Sequence, residues 1–282
     1  LVLKTVAPGD NMIARGEDIA EGTVVVRKGQ IIRSQDIGAL AACGVDQVPV
    51  YRKPVAGIIS TGDEIVEIFQ EPTGGQVRDI NSYTLAAMLT EAGCLVRRLG
   101  VIKDNYNDLR QALLSALETC NLVILSGGSS VGMRDHTVKV IEELGKTAAI
   151  FHGIAVNPGK PTIFGMIGRK PVFGLPGHPA AAMAIGEEIV KPAVAIMTGR
   201  EANRRLRVAA KMSRSVASAP GRDDLLRVRL IKSEQEYLAE PVFGKSGLIS
   251  TMTQADGIVH IPAAASGLYQ NDLVEVILFS GY

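Results

Sequence analysis

The chain has 282 residues, 46% of them hydrophobic, which suits two or three domains with a substantial core. Thirty Lys and Arg balance 29 Asp and Glu to a net charge of +1, so no basic field points to nucleic acid or to an acidic membrane. Aromatic residues make up 4%, with no Trp, which leaves little for base-stacking platforms.

Residues 1–53 read as a small α+β leader. The chain opens at Leu1, without Met and in mid-pattern, and shows no secretory signal, so an N-terminally truncated chain is expected. Thr23 to Ile32 reads as a hairpin turning at Lys28-Gly29. Ser34 is a cap for a short helix through Ala42, ended by Gly44, and Asp46 to Tyr51 reads as a strand. The acidic pair Glu17-Asp18 precedes the hairpin, and by itself is ordinary loop charge.

Residues 54–199 alternate between strand and helix periods, as a mostly parallel, doubly wound α/β sheet requires. Val55 to Ser60 is a strand ending in Thr61-Gly62-Asp63-Glu64. Asn81 or Ser82 caps a helix closed by Gly93, Leu95 to Ile102 is a strand, and Asn107 caps the next helix. The stretch Asn121 to His136 then organises the chain. Its apolar half is a buried strand, which opens through Ser126, Gly127, Gly128, Ser129, Ser130 and Gly132 into a third helix. Free backbone N–H groups and a helix dipole at such a junction favour an anion such as phosphate. Asp135, at the mouth of that helix, is placed to handle a metal or a proton, or is simply the N-cap. The loop has neither the Walker A ending nor the dinucleotide spacing. Ala149 to Val156 is a further strand, Thr162 to Phe173 a hairpin about Gly168 to Lys170, and Ala180 to Thr198 a long helix ended by Gly199. Glu187, Glu188, Lys191 and Pro192 interrupt that helix, so it does not span a bilayer.

Residues 203–282 change character. Leu206 to Arg214, Leu225 to Lys232, Tyr237 to Val242, Gly257 to Ile261 and Leu273 to Phe279 alternate apolar and polar residues between turns, as in a small barrel-like β domain. The cysteines Cys43, Cys94 and Cys120 are odd in number, widely spaced and apolar in surroundings. They fit reduced thiols of a cytoplasmic protein rather than disulfides or a zinc site.

In a parallel sheet the loops after the strands converge on one edge. That edge would gather Thr61 to Glu64, Asp79 and Asn81, Asp104, Asp135, the loop Asn157-Pro158-Gly159-Lys160-Pro161, and Gly174 to Pro179, which contains Pro176, Gly177 and His178. Carboxylates, Gly backbone and a lysine together suit a phosphorylated ligand held through Mg²⁺. Each member also has a plainer role. Asp79 and Asn81 are good caps, the prolines stiffen loops, Lys160 is a surface lysine, and His178 bonds locally. His136, His152 and His260 have no ligand spacing.

Ser60 to Glu64, Asp79-x-Asn81, Val101 to Asp104, Ser126 to Asp135, Pro158 to Pro161 and Gly174 to Pro179 resemble the ordered motifs of MoeA-type molybdopterin molybdenumtransferases, the family that includes the gephyrin E domain. Arg15 to Ile19 and Ser246 to Gly257 resemble it too, so the likeness runs from about residue 12 to the end. The resemblance implies a molybdopterin-binding fold and the last step of molybdenum cofactor assembly. In that step molybdate enters the dithiolene of adenylylated molybdopterin and AMP is released, with Mg²⁺. It implies that the Gly127 to Gly132 loop holds the pterin-side phosphate and that Asp135, Asp104 and Glu64 act through metal or water. Asp63 and Asp79 would line the pocket, Asp18 would contribute from the leader across a homodimer, and Pro176 and Pro179 would shape the oxyanion side. Arg227 and Ser250 are weaker matches. An adenylyltransferase partner, which would supply the pterin nucleotide, is also implied. The family usually has Lys at the Asn157 position and a second basic residue at the Gly153 position, and its N-terminal segment and inserted lobe are missing here. Two further readings remain: a Mog-type molybdopterin adenylyltransferase, which shares the central fold but lacks the leader and the β domain, and a non-catalytic pterin-binding scaffold.

Overall fold

The computed structural model describes residues 5, 7–127, 131–145, 151–200, 205–234 and 236–279, with backbone alone for 131–135. The chain divides into two compact units, Leu1–Tyr51 and Arg52–Tyr282. In the first, α1 (Ser34–Ala42) is the one regular element among the described residues. Ser34 is its first helical residue rather than its cap. Asp36 reaches back instead, accepting the Arg33 N–H at 2.8 Å, and Gly44 ends the helix at φ 72°. The hairpin expected over 23–32 does not form. Its turn is present, with the Gln30 N–H on the Arg27 carbonyl at 3.1 Å, but Val24 and Ile31 are exposed. A two-stranded ribbon with neither a third strand nor a helix to pack on is marginal, and the same lack of a partner leaves 46–51 without a strand.

The second unit starts with β1 (Val55–Thr61), β2 (Ile65–Val66), β3 (Val77–Arg78), α2 (Asn81–Glu91), β4 (Leu95–Ile102), α3 (Tyr106–Thr119), β5 (Leu122–Gly127) and α4 (Val131–Gly145). It continues with β6 (Phe151–His152), β7 (Val156–Asn157), β8 (Ile163–Ile167), β9 (Lys170–Leu175), α5 (Pro179–Ile185), a π-helical turn (Gly186–Val190) and α6 (Lys191–Met197). The sheet order is β4-β1-β5-β9-β8-β6. The first four strands are mutually parallel, while β8 and β6 run antiparallel to their neighbours.

Successive residues of a strand face opposite sides of the sheet, and here both sides are covered. Ile58, Ile124 and Phe173 meet Leu85, Leu89, Ile185 and Val194 of α2, α5 and α6. Ile59, Val123 and Val172 meet Leu109, Leu113, Val140 and Ile141 of α3 and α4. Continuous apolar runs in the central strands follow from this double burial. Asn105, not Asn107, caps α3: its backbone is extended and its side chain accepts the Asp108 N–H. The strand expected over 149–156 is divided. Gly153, at φ 87°, turns the chain between β6, which closes the α/β sheet, and β7, which leaves it. The long helix is continuous but contains the π turn, which sits just before Pro192, a residue that has no N–H to continue the ladder.

The rest is β10 (Arg207–Met212), β11 (Val216–Ala217), β12 (Asp223–Lys232), β13 (Tyr237–Pro241), α7 (Ser250–Thr253), β14 (Gly257–Ile261), β15 (Gly267–Leu268) and β16 (Leu273–Leu278). Strands β13, β10, β16, β14 and β12 close into a five-stranded barrel through the β12–β13 pairing, and β7 adds to β12 in parallel. The barrel interior is filled by Ala210, Met212, Val228, Ala239, Val259, Val274 and Val276.

Barrel and α/β layer are joined at several places among the described residues. Val156 and Asn157 pair with Asp223 and Asp224, Ala184 packs on Leu225 and Ile258, and Glu188 binds both Arg205 (2.6 and 3.0 Å) and His260 (3.1 Å). Burial pushes the Glu188 carboxyl up, but the hydrogen bonds and charges of His260 and Arg205 together outweigh it and hold the group at about 2. A carboxyl with a folded value below its ordinary 4.5 adds stability above that ordinary value and loses it as pH falls toward about 2. We expect this acid arm of the stability curve, followed by denaturant titration at stepped pH, to flatten in Glu188→Gln. An unchanged arm in that variant would show that Glu188 does not generate it.

Candidate functional site

The carboxyl ends of β1, β4, β5 and β9 and the amino end of β8 lie on one edge, because β8 runs opposite to β9 and Ile163 pairs with Gly174. The loops after the first four strands and the Pro158 to Pro161 loop before β8 therefore converge. Antiparallel β8 delivers that last loop, which the sequence placed after a strand.

The approach of β1 to β5 sets the geometry. Gly127 sits at φ 129°, and a Cβ there would fall 1.9 Å from the Thr61 carbonyl oxygen, so only Gly fits. Gly62, at φ 148°, bonds through its N–H to the Ile102 carbonyl at 3.4 Å and joins the ends of β1 and β4. Asp63 accepts the Asp104 N–H at 3.2 Å. This brings Asp63, Glu64 and Asp104 together. Burial first, then the negative charges of Asp63 and Glu64, push the Asp104 carboxyl above its ordinary range, against the opposing influence of His136. Asp104 Oδ1 and His136 Nδ1 are both buried without a hydrogen-bond partner. His136 is thereby brought beside this cluster, which its spacing to the other histidines did not reveal. The available signal was its position beside Asp135.

Asp79 is 3% exposed. It accepts the Ser82 N–H (3.0 Å) and the Ser60 hydroxyl (2.8 Å), so it is the working cap of α2. Asn81 does not cap. It is the first residue of the helix, and its Nδ2 donates to Ser126 Oγ and to the Gly177 carbonyl, both at 2.9 Å. Its Oδ1 is buried and unpartnered.

Gly128, Ser129 and Ser130 lie outside the described residues. Gly132 and Asp135 are in α4, which starts at Val131, so Gly132 belongs to the helix rather than to a loop. Asp135 is the fifth helical residue, in the second turn, and is not an N-cap. Gly159, at φ 134°, lies so close to Ile185 that a Cβ would come within 2.3 Å of it. Pro158 follows a cis peptide bond, Lys160 is exposed and Pro161 half-buried. Pro176 and Pro179 are buried on either side of Gly177 and His178. His178 Nδ1 lies 2.8 Å from Ser246 Oγ, and the Ala180 N–H donates to the Ser246 carbonyl at 3.0 Å. Asp18 is an exposed residue on a bend of the leader unit.

The loop containing Ser246 leads to Arg227. This side chain projects from β12 on the same face as Leu225, which packs on α5. Arg227 is 9% exposed. Its Nη2 donates to the Gly244 carbonyl at 2.9 Å, while Nε and Nη1 are buried with no partner. Burial lowers its pKa, with no carboxylate to offset it.

Among the described residues no three His, Cys, Asp or Glu side chains form a ready metal cage. Mg²⁺ needs none, because it commonly takes one or two carboxylates and completes its shell with water and substrate phosphates. The unpartnered Asp104 Oδ1 in a crowd of negative charge fits that mode of binding. The crowding also predicts a cost. A folded pKa above the ordinary value favours the fold at low pH and opposes it as pH rises through the folded value. Asp104→Asn is therefore expected to raise the thermal midpoint by a few degrees at pH 7 in metal-free buffer, with the gain vanishing near pH 3. A midpoint lower at pH 7 would contradict the charge crowding.

Comparison with known proteins bears on this arrangement. Residues 57–195 match the probable molybdopterin binding domain, residues 209–279 the MoeA C-terminal region (domain IV), and residues 2–44 the MoeA N-terminal region (domains I and II). A putative molybdopterin biosynthesis protein of Methanocaldococcus jannaschii is 34% identical over 98% of this chain and 68% of its own length. Molybdopterin molybdenumtransferase 1 of Mycobacterium tuberculosis is 31% identical over 98% of this chain and 66% of its own length. The crystal structure of a molybdopterin biosynthesis MoeA protein from Pyrococcus horikoshii superposes with a TM-score of 0.82 at 37% identity, covering 95% of this chain and 65% of that one. The chain thus spans about two thirds of the length of these relatives, and with all three regions matched in order it belongs to the MoeA family.

Proposed function

We propose that this chain is the molybdate-inserting part of a molybdopterin molybdenumtransferase: it binds adenylylated molybdopterin and molybdate, and molybdenum enters the dithiolene as AMP is released. One observation carries the reading beyond family membership. A buried guanidinium keeps two nitrogens, Nε and Nη1, without partners and its charge uncompensated at the seam between barrel and α/β layer. Removing a charge from water without a partner costs on the order of several kcal/mol, so such a group is normally retained for an anion. Arg227 is on the same strand as Asp224, which pairs with Asn157 at the start of the Pro158 to Pro161 loop. The seam is therefore next to the loop edge, where an oxyanion and a pterin can meet.

The roles divide by position. Arg227 Nε and Nη1 would hold the oxyanion, with Lys160 of the Pro158 to Pro161 loop as a second candidate cation. They would be the remaining cations, because Asn157 and Gly153 stand where the resemblance implies basic residues. Thr61, Gly62, Gly127 and the residues through Gly132 would hold the phosphate end, with Asp63, Asp79 and Asn81 shaping the wall. The stretches Pro158 to Pro161 and Pro176 to Pro179 would shape the other wall. Asp104 and Glu64 would hold Mg²⁺, joined by Asp135 from α4. The metal would supply charge neutralisation at the phosphate. Asp18, a homodimer and an adenylyltransferase that delivers the pterin nucleotide complete the proposal for the whole protein. No described helix is long and apolar enough to cross a membrane. With Cys94 and Cys120 as buried free thiols, we place the reaction in the cytoplasm.

The test is AMP release from adenylylated molybdopterin with Mg²⁺ and molybdate added or omitted, alongside calorimetric titration with molybdate. Two charge-assisted hydrogen bonds at about 1.5–3 kcal/mol each predict that Arg227→Met lowers molybdate affinity by at least about a hundredfold. The same variant should be no less stable than the parent, because an apolar isostere removes a buried unpaired charge. Unchanged molybdate binding in Arg227→Met would rule out the seam as the oxyanion site. Pterin binding with no AMP release under any condition, in this chain and in a full-length relative, would leave a scaffold.

A further inference from the structure

Two side chains beside the crowded carboxylates are put to no use by the fold itself. Asp104 Oδ1 and His136 Nδ1 are both buried and neither has a hydrogen-bond partner, so they do not bond to each other either. His136 is still close enough to Asp104 for its charge to oppose the crowding there. The two come from different elements. Asp104 follows β4, with its N–H fixed on Asp63 Oδ1 at 3.2 Å, and His136 is in α4. Tyr106, the first residue of α3, ties them together. Its ring meets the His136 imidazole edge-on, with centroids 6.2 Å apart and planes at 68°. Its hydroxyl donates to Glu143 Oε2, about two turns further along α4 on the His136 face. Arg110 Nε, one turn along α3, holds the other oxygen of Glu143 at 2.9 Å. The imidazole is thus positioned by an aromatic edge, and its buried nitrogen is left for a ligand.

We propose that His136 Nδ1 is a ligand of the cation site at Asp104, and that this nitrogen turns the preference of the site from Mg²⁺ toward a borderline first-row divalent cation of the Co²⁺ to Zn²⁺ range. The inference rests on the cation site proposed above and narrows its occupant. Mg²⁺ is a hard ion that takes oxygen ligands and gives up its waters reluctantly. Imidazole is a softer donor, and affinity for nitrogen-containing sites rises along the first row beyond Mn²⁺. His136 also adds a ligand without adding negative charge, in a place where burial and two carboxylates already push Asp104 up. The described residues make no closed cage, so water and substrate phosphate would complete the shell.

The experiment uses this chain in metal-free buffer, without pterin or molybdate. Calorimetric titration with CoCl₂ is expected to give an affinity at least about tenfold above that for MgCl₂. The proton spectrum of the chain with equimolar Co²⁺ should carry hyperfine-shifted imidazole resonances. A large excess of MgCl₂ should remove them, which ties the nitrogen to the site where Mg²⁺ binds and not to His152, His178 or His260. In His136→Phe, which keeps a ring edge against Tyr106, Co²⁺ affinity should fall about tenfold while Mg²⁺ affinity stays within about twofold. In Asp104→Asn both should fall. Equal loss of both ions in His136→Phe would make His136 a packing residue and overturn the inference. So would imidazole resonances that persist in that variant, or their absence from the unaltered chain, a readout that stands even where the variant does not fold. Mg²⁺-dependent AMP release from a chain whose Co²⁺ form shows no imidazole ligand would overturn this inference alone. Co²⁺ held by His136 with no AMP release under any condition would bring down the proposed function and leave the metal site. Failure of both ions to bind would bring down the cation site in both.

Discussion

The contact between the ends of β1 and β5 sets the position of everything at the site. Thr61 and Gly127 are paired in register, and the gap between them has no room for a side chain. Because the strands are parallel, that contact lies at their carboxyl ends. The chain leaves β1 toward Gly62 to Glu64 and leaves β5 toward the Gly loop, both at one point of the sheet. Asp104 is drawn to the same point because Gly62 bonds to the end of β4. A wider spacing would separate the three carboxylates and remove the electrostatic crowding that adds to burial in raising Asp104.

Burial then sorts the polar residues into two kinds. Ser60, Asp79 and Ser82 are buried and bonded to one another, and they hold the start of α2. Asp104 Oδ1, His136 Nδ1, Asn81 Oδ1 and Arg227 Nε and Nη1 are buried and left open. Folded proteins satisfy most such atoms, so a group of open ones marks where the fold has been shaped for something other than its own stability. All of these lie at the loop edge, beneath it, or at the seam beside it.

Much of this was legible in the sequence. Continuous apolar runs such as Leu122 to Leu125 announce strands covered on both faces, and alternation from Leu225 to Lys232 announces a barrel wall. The loop residues were legible because Gly, Pro and Asp cluster where periodic patterns stop. Three things were not. The leader hairpin has the right turn and the right residues, but pattern alone cannot supply the packing partner a ribbon needs. The stretch over 149–156 is apolar throughout, and only the backbone at Gly153 decides that half of it serves one sheet and half another. Asn81 and Asn105 differ in their use because capping depends on the φ and ψ of one residue. Asp79 and Asn105 sit where an acceptor meets free N–H groups, and Asn81 and Asn107 do not. Arg227 was visible only as a family match, since burial and lack of a partner are properties of the fold.

The pairing of β7 with β12 has a consequence for how the molecule can be divided. The chain enters the barrel at about residue 205, yet Val156 and Asn157 already form part of its sheet. A fragment cut between helix and barrel would leave the start of β12 with an open ladder, a template for adding strands from other molecules. It would also leave Leu225 and Ile258 without Ala184 over them. The linear order of the family's regions is therefore a poor guide to where scissors belong: a self-standing barrel has to bring its guest strand with it, on a graft or a linker, or be given an edge that repels company.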